Sequence, residues 1–208
     1  PSDAAFDTPA IDAAGISISD NAASIETWDA EHDTATYPHI AMDLNVEGES
    51  AMSARLLGIT LSVGNNCAES TLYIPVGETI DRGVAAAVSH IIAQDGRTVL
   101  GAMVKRDITV LRRHGIDMPD NYYDIAVAHY LLRPEGSQML ADIAAEMLQV
   151  HIPDWGIPIQ TLRRGITGDD AQAAARTASR TDAILRLYNP LQQSIADNGH
   201  QRLLTDIE

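Results

Sequence analysis

The residues of this chain whose type and spacing allow chemistry are a few acids and arginines. Asp43 and Asn45 alternate with Met42, Leu44 and Val46, so they share one face of an extended segment, and Glu47 continues that face. A hard divalent cation needs oxygen ligands, and therefore needs several carboxylates to converge on such a face. Asp107 heads a predicted helix, where the dipole favours an acid, and Asp124 is placed as the N-cap of another. Arg176 and Arg180 are four apart and share a helix face. A guanidinium can bond a carboxylate through both its arms. Each feature also has an ordinary reading: a solvated strand residue for Asp43, a helix-terminal acid for Asp107, a simple cap for Asp124. Lys105-Arg106 and Arg112-Arg113 are within the repertoire of phosphate-backbone contacts, and equally form a solvated helix face. Glu31-His32-Asp33 reads as a polar loop. There is no His-Glu-x-x-His, no phosphate-loop glycine pattern and no Gly-x-Ser-x-Gly.

The 208 residues carry 29 acids against 14 bases, a formal net charge of −15. Only Lys105 is a lysine; the other thirteen bases are arginines. That balance argues against autonomous nucleic-acid binding, which draws most of its affinity from phosphate neutralisation. The apolar fraction of 45% is that of a globular chain able to bury a core. A single cysteine, Cys67, excludes an internal disulfide and any cysteine-based metal pattern. No apolar run approaches the ~20 residues of a membrane span, and no signal peptide is visible. A cytoplasmic setting, no membrane partner, and a processed chain or a segment cut from a longer protein (the chain begins at Pro1) are the expectations.

These side chains need elements to hold them. Residues 1–23 lack periodicity and read as a linker or entering arm, with a domain expected over 24–208. Strands are predicted at Ile40–Val46, Leu56–Val63 and Leu72–Val76, antiparallel because their connections are short. A helix over 80–93, ended by Asp95-Gly96, precedes a buried strand at Val99–Ala102. A helix follows at Asp107–His114, then a short strand at Tyr122-Tyr123 and a helix from the Asp124 cap to Leu132. Gln138–Gln149 is amphipathic, and Pro153, Gly156 and Pro158 mark a loop. The tail from Asp169 to Glu208 is mostly helical, with breaks expected near Asn189-Pro190 and Asn198-Gly199. The order is that of a layered α/β domain. Trp28 and Trp155 read as packing residues.

From about residue 24 to Glu208 the segments resemble the 3′–5′ exonuclease (proofreading) domain of bacterial family A DNA polymerases, DNA polymerase I. Met103-Val-Lys-Arg-Asp-Ile-Thr-Val-Leu-Arg-Arg-His-Gly-Ile116 is similar to that family's Asn-x-Lys-Tyr-Asp segment and its following helix. Tyr123-Asp124 and Ala128-His-Tyr-Leu-Leu132 continue it. Ala54–Ile59 and Tyr73–Val76 resemble the second and third strands, and Asp206–Glu208 the join to the polymerase domain. The resemblance implies an RNase H-like (DnaQ-like) fold with a mixed five-stranded sheet flanked by helices. It also implies two-metal phosphodiester hydrolysis, with ions about 3.5–4 Å apart flanking the scissile phosphate.

The family's ligands are Asp-x-Glu on the first strand, an Asp in the second motif and Tyr-x-x-x-Asp on a late helix. Here the first motif reads Asp43-Leu-Asn45, so an amide replaces the glutamate. The second keeps Asp107, with Met103 in place of asparagine. The third falls on Arg176-Thr-Ala-Ser-Arg180, so both tyrosine and aspartate become arginine. Asp182 lies roughly 200° around the helix from Arg180 and points elsewhere. The expectation is a catalytically inactive, structural domain in which guanidinium–carboxylate pairs stand where metal stood. No cofactor is expected; Mg²⁺ or Mn²⁺ at Asp43 and Asp107 is expected only of an active enzyme. The implied partner is the polymerase domain of the same full-length chain, with DNA met weakly or through that chain. The alternatives are an active exonuclease on single-stranded DNA ends, with Glu47 filling in, and an unrelated acidic α/β interaction module.

Overall fold

The computed structural model describes residues 15–48, 50–152 and 169–207. The Pro153–Pro158 loop, Trp155 and residues 1–14 of the arm lie outside these. Three antiparallel strands form the heart of the sheet: β2 (His39–Glu47), β3 (Arg55–Val63) and β4 (Ser70–Pro75). On the other side of β2, β5 (Thr98–Gly101) and β6 (Tyr122–Asp124) add in parallel. The sheet has six strands rather than five, in the order β1-β4-β3-β2-β5-β6. The additional strand, β1 (Ile16–Ile18), pairs parallel to β4 from within the segment read as an arm. Helix α1 (Ala22–Ala30) follows it, also unforeseen. Its signals are local: Asn21 caps it through Ala23 N and Ser24 N, and Ile25 and Trp28 enter the core.

Alternation along the strands builds two unlike faces. On one, Ile40, Met42, Leu44, Ile59, Leu61, Leu72 and Ile74 join α1 and α2 (Arg82–Ile92) in the larger core. Helix α3 (Val104–Arg113) adds Val110 and Leu111 to it. On the other face small and polar side chains predominate: Ala41, Asp43, Asn45, Thr60, Ser62 and Thr71 are all buried. Helix α6 (Asp169–Asp197) lies across this face, backed by α4 (Ile125–Leu132) and α5 (Leu140–Leu148). Hydroxyls make the contact: Ser62 Oγ is 2.7 Å from Thr71 Oγ1 and 2.6 Å from Thr181 Oγ1. Gly58 admits the Tyr73 ring, whose Oη would lie 2.4 Å from a Cβ there.

The break expected at Asn189-Pro190 does not occur; α6 runs through Pro190. A helix-interior proline costs about 3 kcal/mol, but Leu187, Leu191 and Ile195 on either side of it are fully buried in the second core. Each is worth about 1.5–3 kcal/mol, so packing prevails. The second break is where the sequence puts it. Gly199 takes φ +70°, and Gly199 N and His200 N donate to the carbonyls of Ala196 and Ile195, closing the helix in a Schellman motif before α7 (Gln201–Ile207). Among the described residues no helix is long and apolar enough to cross a membrane.

Candidate active site

Asp43 sits mid-strand on β2, opposite Thr60 of β3, and is 2% exposed. Arg180 of α6 lies over it, its Nε donating to Asp43 Oδ2 at 2.7 Å. Both side chains are shut off from solvent, at 8% and 3% exposure. Asn45, two residues along, is buried on the same face opposite Gly58. Just beyond it the register shifts, so that Val46 faces Leu56 and Leu57 is left over. Such bulges re-aim a strand end. Glu47 is half-buried beyond the bulge and makes no ion pair among the described residues.

The second acid stands at the start of α3. That helix begins at Val104, earlier than predicted, which puts Asp107 in its first turn with its side chain fully buried. Arg106 reaches back to it, donating to Oδ1 from Nε at 3.1 Å and from Nη2 at 3.0 Å. Burial nevertheless pushes the Asp107 carboxyl up to about 7, with Asp43 and Asp124 adding to the rise and Arg106 opposing it. Met103 precedes the helix, is 43% exposed and caps nothing through its side chain.

Asp124 proves to be more than a cap. Its Oδ1 accepts from Ala126 N (2.8 Å) and Val127 N (3.3 Å) at the head of α4. Its Oδ2 accepts from Val104 N at 2.7 Å, at the head of α3. One carboxylate therefore serves two helix N-termini and fixes the helix that carries Asp107. Burial raises its pKa, against those three N–H bonds. Asp182 faces away from the site, accepting from Ala68 N at 2.8 Å and Arg186 Nε at 2.6 Å. Arg176, one turn before Arg180, is half-buried and makes no hydrogen bond or ion pair among the described residues.

The arrangement gathers Asp43, Asn45, Asp107 and Arg180 at the meeting of β2, α3 and α6, each acid already bonded to a guanidinium. Among the described residues no three His, Cys, Asp or Glu side chains are grouped as a metal site. Residues 16–162 match the family model of the 3′-5′ exonuclease, a span that takes in Asp43, Asn45, Met103, Asp107 and Asp124. The chain belongs to the 3′-5′ exonuclease family. The match ends before α6, so Arg176 and Arg180 are placed by the structure and not by it. No curated protein matches the chain in sequence.

Solved structures show the exonuclease fold widely. The POL domain of Pol1 from M. smegmatis, in complex with DNA primer-template and dNTP, matches with TM-score 0.69 at 20% identity over 90% of this chain. This chain spans only 29% of that one. Escherichia coli RNase D matches with TM-score 0.68 at 17% identity, covering 92% of this chain and 48% of its own. Brucella melitensis NrnC with bound Mg²⁺ matches with TM-score 0.63 at 19% identity, covering 83% and 82%. The fold is accordingly RNase H-like of the DnaQ type.

Sequence reasoning did not foresee two partners in the exonuclease-like site. Arg106 answers Asp107, although a basic residue beside a buried acid was there to be read. The second bond of Asp124, to Val104, joins residues twenty apart and leaves no local pattern.

Proposed function

We propose that this domain keeps the exonuclease fold but has lost its two-metal chemistry, and serves as a structural segment of a DNA polymerase I-type chain. The observation that carries the reading is Arg180 on Asp43, 2.7 Å apart and buried. A guanidinium and a divalent ion about 4 Å apart repel by about 8 kcal/mol at an effective dielectric of 20. Asn45 adds no negative charge to offset this, and Asp107 is already held by Arg106. Two hard cations want several free carboxylates, and the residues present do not fit that need.

The net charge of −15 supports the same reading. A domain carried by a polymerase need not attract DNA itself, and its work is to pack against the polymerase segment. The test is nuclease assay and calorimetry together. Labelled single-stranded DNA incubated with the protein and Mg²⁺ or Mn²⁺ is expected to stay intact, and Mn²⁺ titration is expected to give no heat of binding. Degradation that disappears in Asp43→Ala would overturn the proposal and establish a working exonuclease.

A further inference from the structure

A cleft lies away from Asp43, between the ends of three helices. It opens where α4 finishes at Leu132, against α5 and the last turns of α6, with a volume of about 410 Å³. That is within the range of small-molecule pockets. On its α6 wall, Ser194 is fourteen residues beyond Arg180, about 20 Å along the helix at 1.5 Å per residue. His129 sets the chemistry of the wall. Its side chain is 2% exposed, yet neither ring nitrogen has a hydrogen-bond partner among the described residues. Nε2 stands 3.7 Å from Glu146 Oε2, too far for a hydrogen bond. Gly136 makes room for the ring: a Cβ there would lie 3.1 Å from His129 Cε1. Buried polar groups are almost always bonded, so the ring marks a place where something outside the chain completes its bonds.

The donors of this wall already serve the protein. Ser194 Oγ donates to Pro190 O at 2.9 Å and Asn198 Nδ2 to Ser194 O at 2.8 Å, both back into α6. Arg133 Nη1 donates to Glu146 Oε1. What remains is a set of acceptors: Glu146 Oε2, Asn198 Oδ1, Ser194 Oγ and, with a neutral imidazole, one nitrogen of His129. The charge has the matching sign. Glu135, Asp142, Glu146 and Asp197 lie on the wall or within four residues of it in the chain, against Arg133 and Arg202. Leu132 and Met147 add apolar surface beside these groups. We propose that the cleft binds a small primary ammonium compound. Its N–H groups donate to Glu146 Oε2, His129 and Asn198 Oδ1, and its alkyl chain lies on Leu132 and Met147. An ammonium carries three donors and no acceptor, the complement of what the wall offers. A free alkylamine and the lysine side chain of another protein present this same chemistry. The inference is independent of the reading of the Asp43 cleft, to which none of these residues belongs.

An NMR amide-shift titration tests it, with n-butylammonium as the probe and tetramethylammonium as an equally charged cation that has no N–H. Saturating shifts at His129, Glu146 and Asn198 are expected with the first and not with the second. His129→Phe keeps a ring and removes both nitrogens, and Glu146→Gln removes the carboxylate at a side chain 36% exposed. Each is expected to weaken binding at least tenfold. Asp117→Asn, which removes an acid 87% exposed elsewhere, is expected to leave it unchanged. 1,4-Diaminobutane and Nα-acetyl-lysine amide are titrated in parallel, and the tighter of the two tells a free amine from a lysine side chain. Circular dichroism checks that the variants fold, and Glu146→Gln decides alone if His129→Phe does not. No saturating shift, an equal response to tetramethylammonium, or equal weakening in Asp117→Asn (attraction to the acidic surface only) overturns the inference.

Discussion

At the scale of single residues, the Asp43–Arg180 pair is costly to break and easy to replace. Removing one partner of a buried pair leaves an uncompensated charge and costs about 3–5 kcal/mol, whereas a well-packed apolar pair is often neutral or better. Arg180→Ala is expected to lower the urea-unfolding free energy by about that amount, and Asp43→Leu with Arg180→Met to recover most of it. Equal loss in the single and double variants would mean that packing, not charge, sets the cost. Asp107 adds a pH dependence. Its carboxyl titrates at about 7 in the folded protein against 3.8 unexposed to burial. The folded state thus holds a proton that the unfolded state releases, and stability falls as pH rises from about 4 to 7, by up to about 1.4 kcal/mol per unit. Asp107→Asn is expected to flatten unfolding free energy over that window and to be the more stable form at pH 8; Asp124, raised in the same sense, leaves a residual slope. An unchanged pH profile would contradict the assignment. That Asp43 and Asn45 share a strand face is legible from alternation; that they and Asp107 belong to one site is what the family resemblance implies, since each local pattern alone also fits an ordinary residue. Arg106 lies beside Asp107 in sequence, whereas Arg180 reaches Asp43 only because α6 is docked across β2, a contact 137 residues apart that the family resemblance and not a local pattern suggests.

At the scale of elements, Asp124 holds two helices by their heads. An N-cap is worth about 0.5–2 kcal/mol, and a hydrogen bond to a charged group about 1.5–3. Asp124→Ala should therefore cost about 2–5 kcal/mol by urea denaturation. Asp124→Asn keeps one acceptor oxygen, enough for α4 or α3 but not both, and is expected to lose roughly half as much. Amide hydrogen exchange gives the sharper readout, since Val104 N–H should lose protection in Asp124→Ala while a cap confined to α4 would leave it protected. Strand β2 is readable because alternation over several residues is a strong signal, and β3, β4 and β5 because each is a short apolar run bounded by turn residues. β1 was not, since Ile16-Ser-Ile18 is too short to show a period and is a strand only because β4 offers it an edge. α1 escaped for a related reason: it buries little beyond Ile25 and Trp28. Pro190 misled in the opposite direction, because the signal against helix is local while the apolar contacts that overrule it belong to the tertiary fold.

At the scale of the whole molecule, the balance of 29 acids to 14 bases makes self-repulsion a property of the folded state. The compact chain brings these charges together, and unfolding relieves them. Several of the fourteen bases are withdrawn from the surface balance: Arg97 is fully buried, 3.5 Å from Asp29, and Arg180 is spent on Asp43. The exposed pairs that remain are weak supports, as with Arg112 and Asp117 at 3.7 Å and 72% and 87% exposure. Such pairs are worth about 0–1 kcal/mol. Salt screens repulsion and exposed attraction alike, with a Debye length of about 30 Å at 0.01 M and 10 Å at 0.1 M, but reaches buried pairs much less. Repulsion is the larger of the two screened quantities here, so stability should rise with ionic strength. Differential scanning calorimetry from 0.01 to 0.5 M NaCl is expected to show a climbing Tm, about 2–4 °C for each kcal/mol gained in a chain of this size. Choline chloride at equal ionic strength should give the same curve, because the effect belongs to screening and not to a bound cation. A rise seen with NaCl alone would point to cation binding at the acidic surface, and a falling Tm would show that exposed ion pairs hold the fold more firmly than their geometry allows.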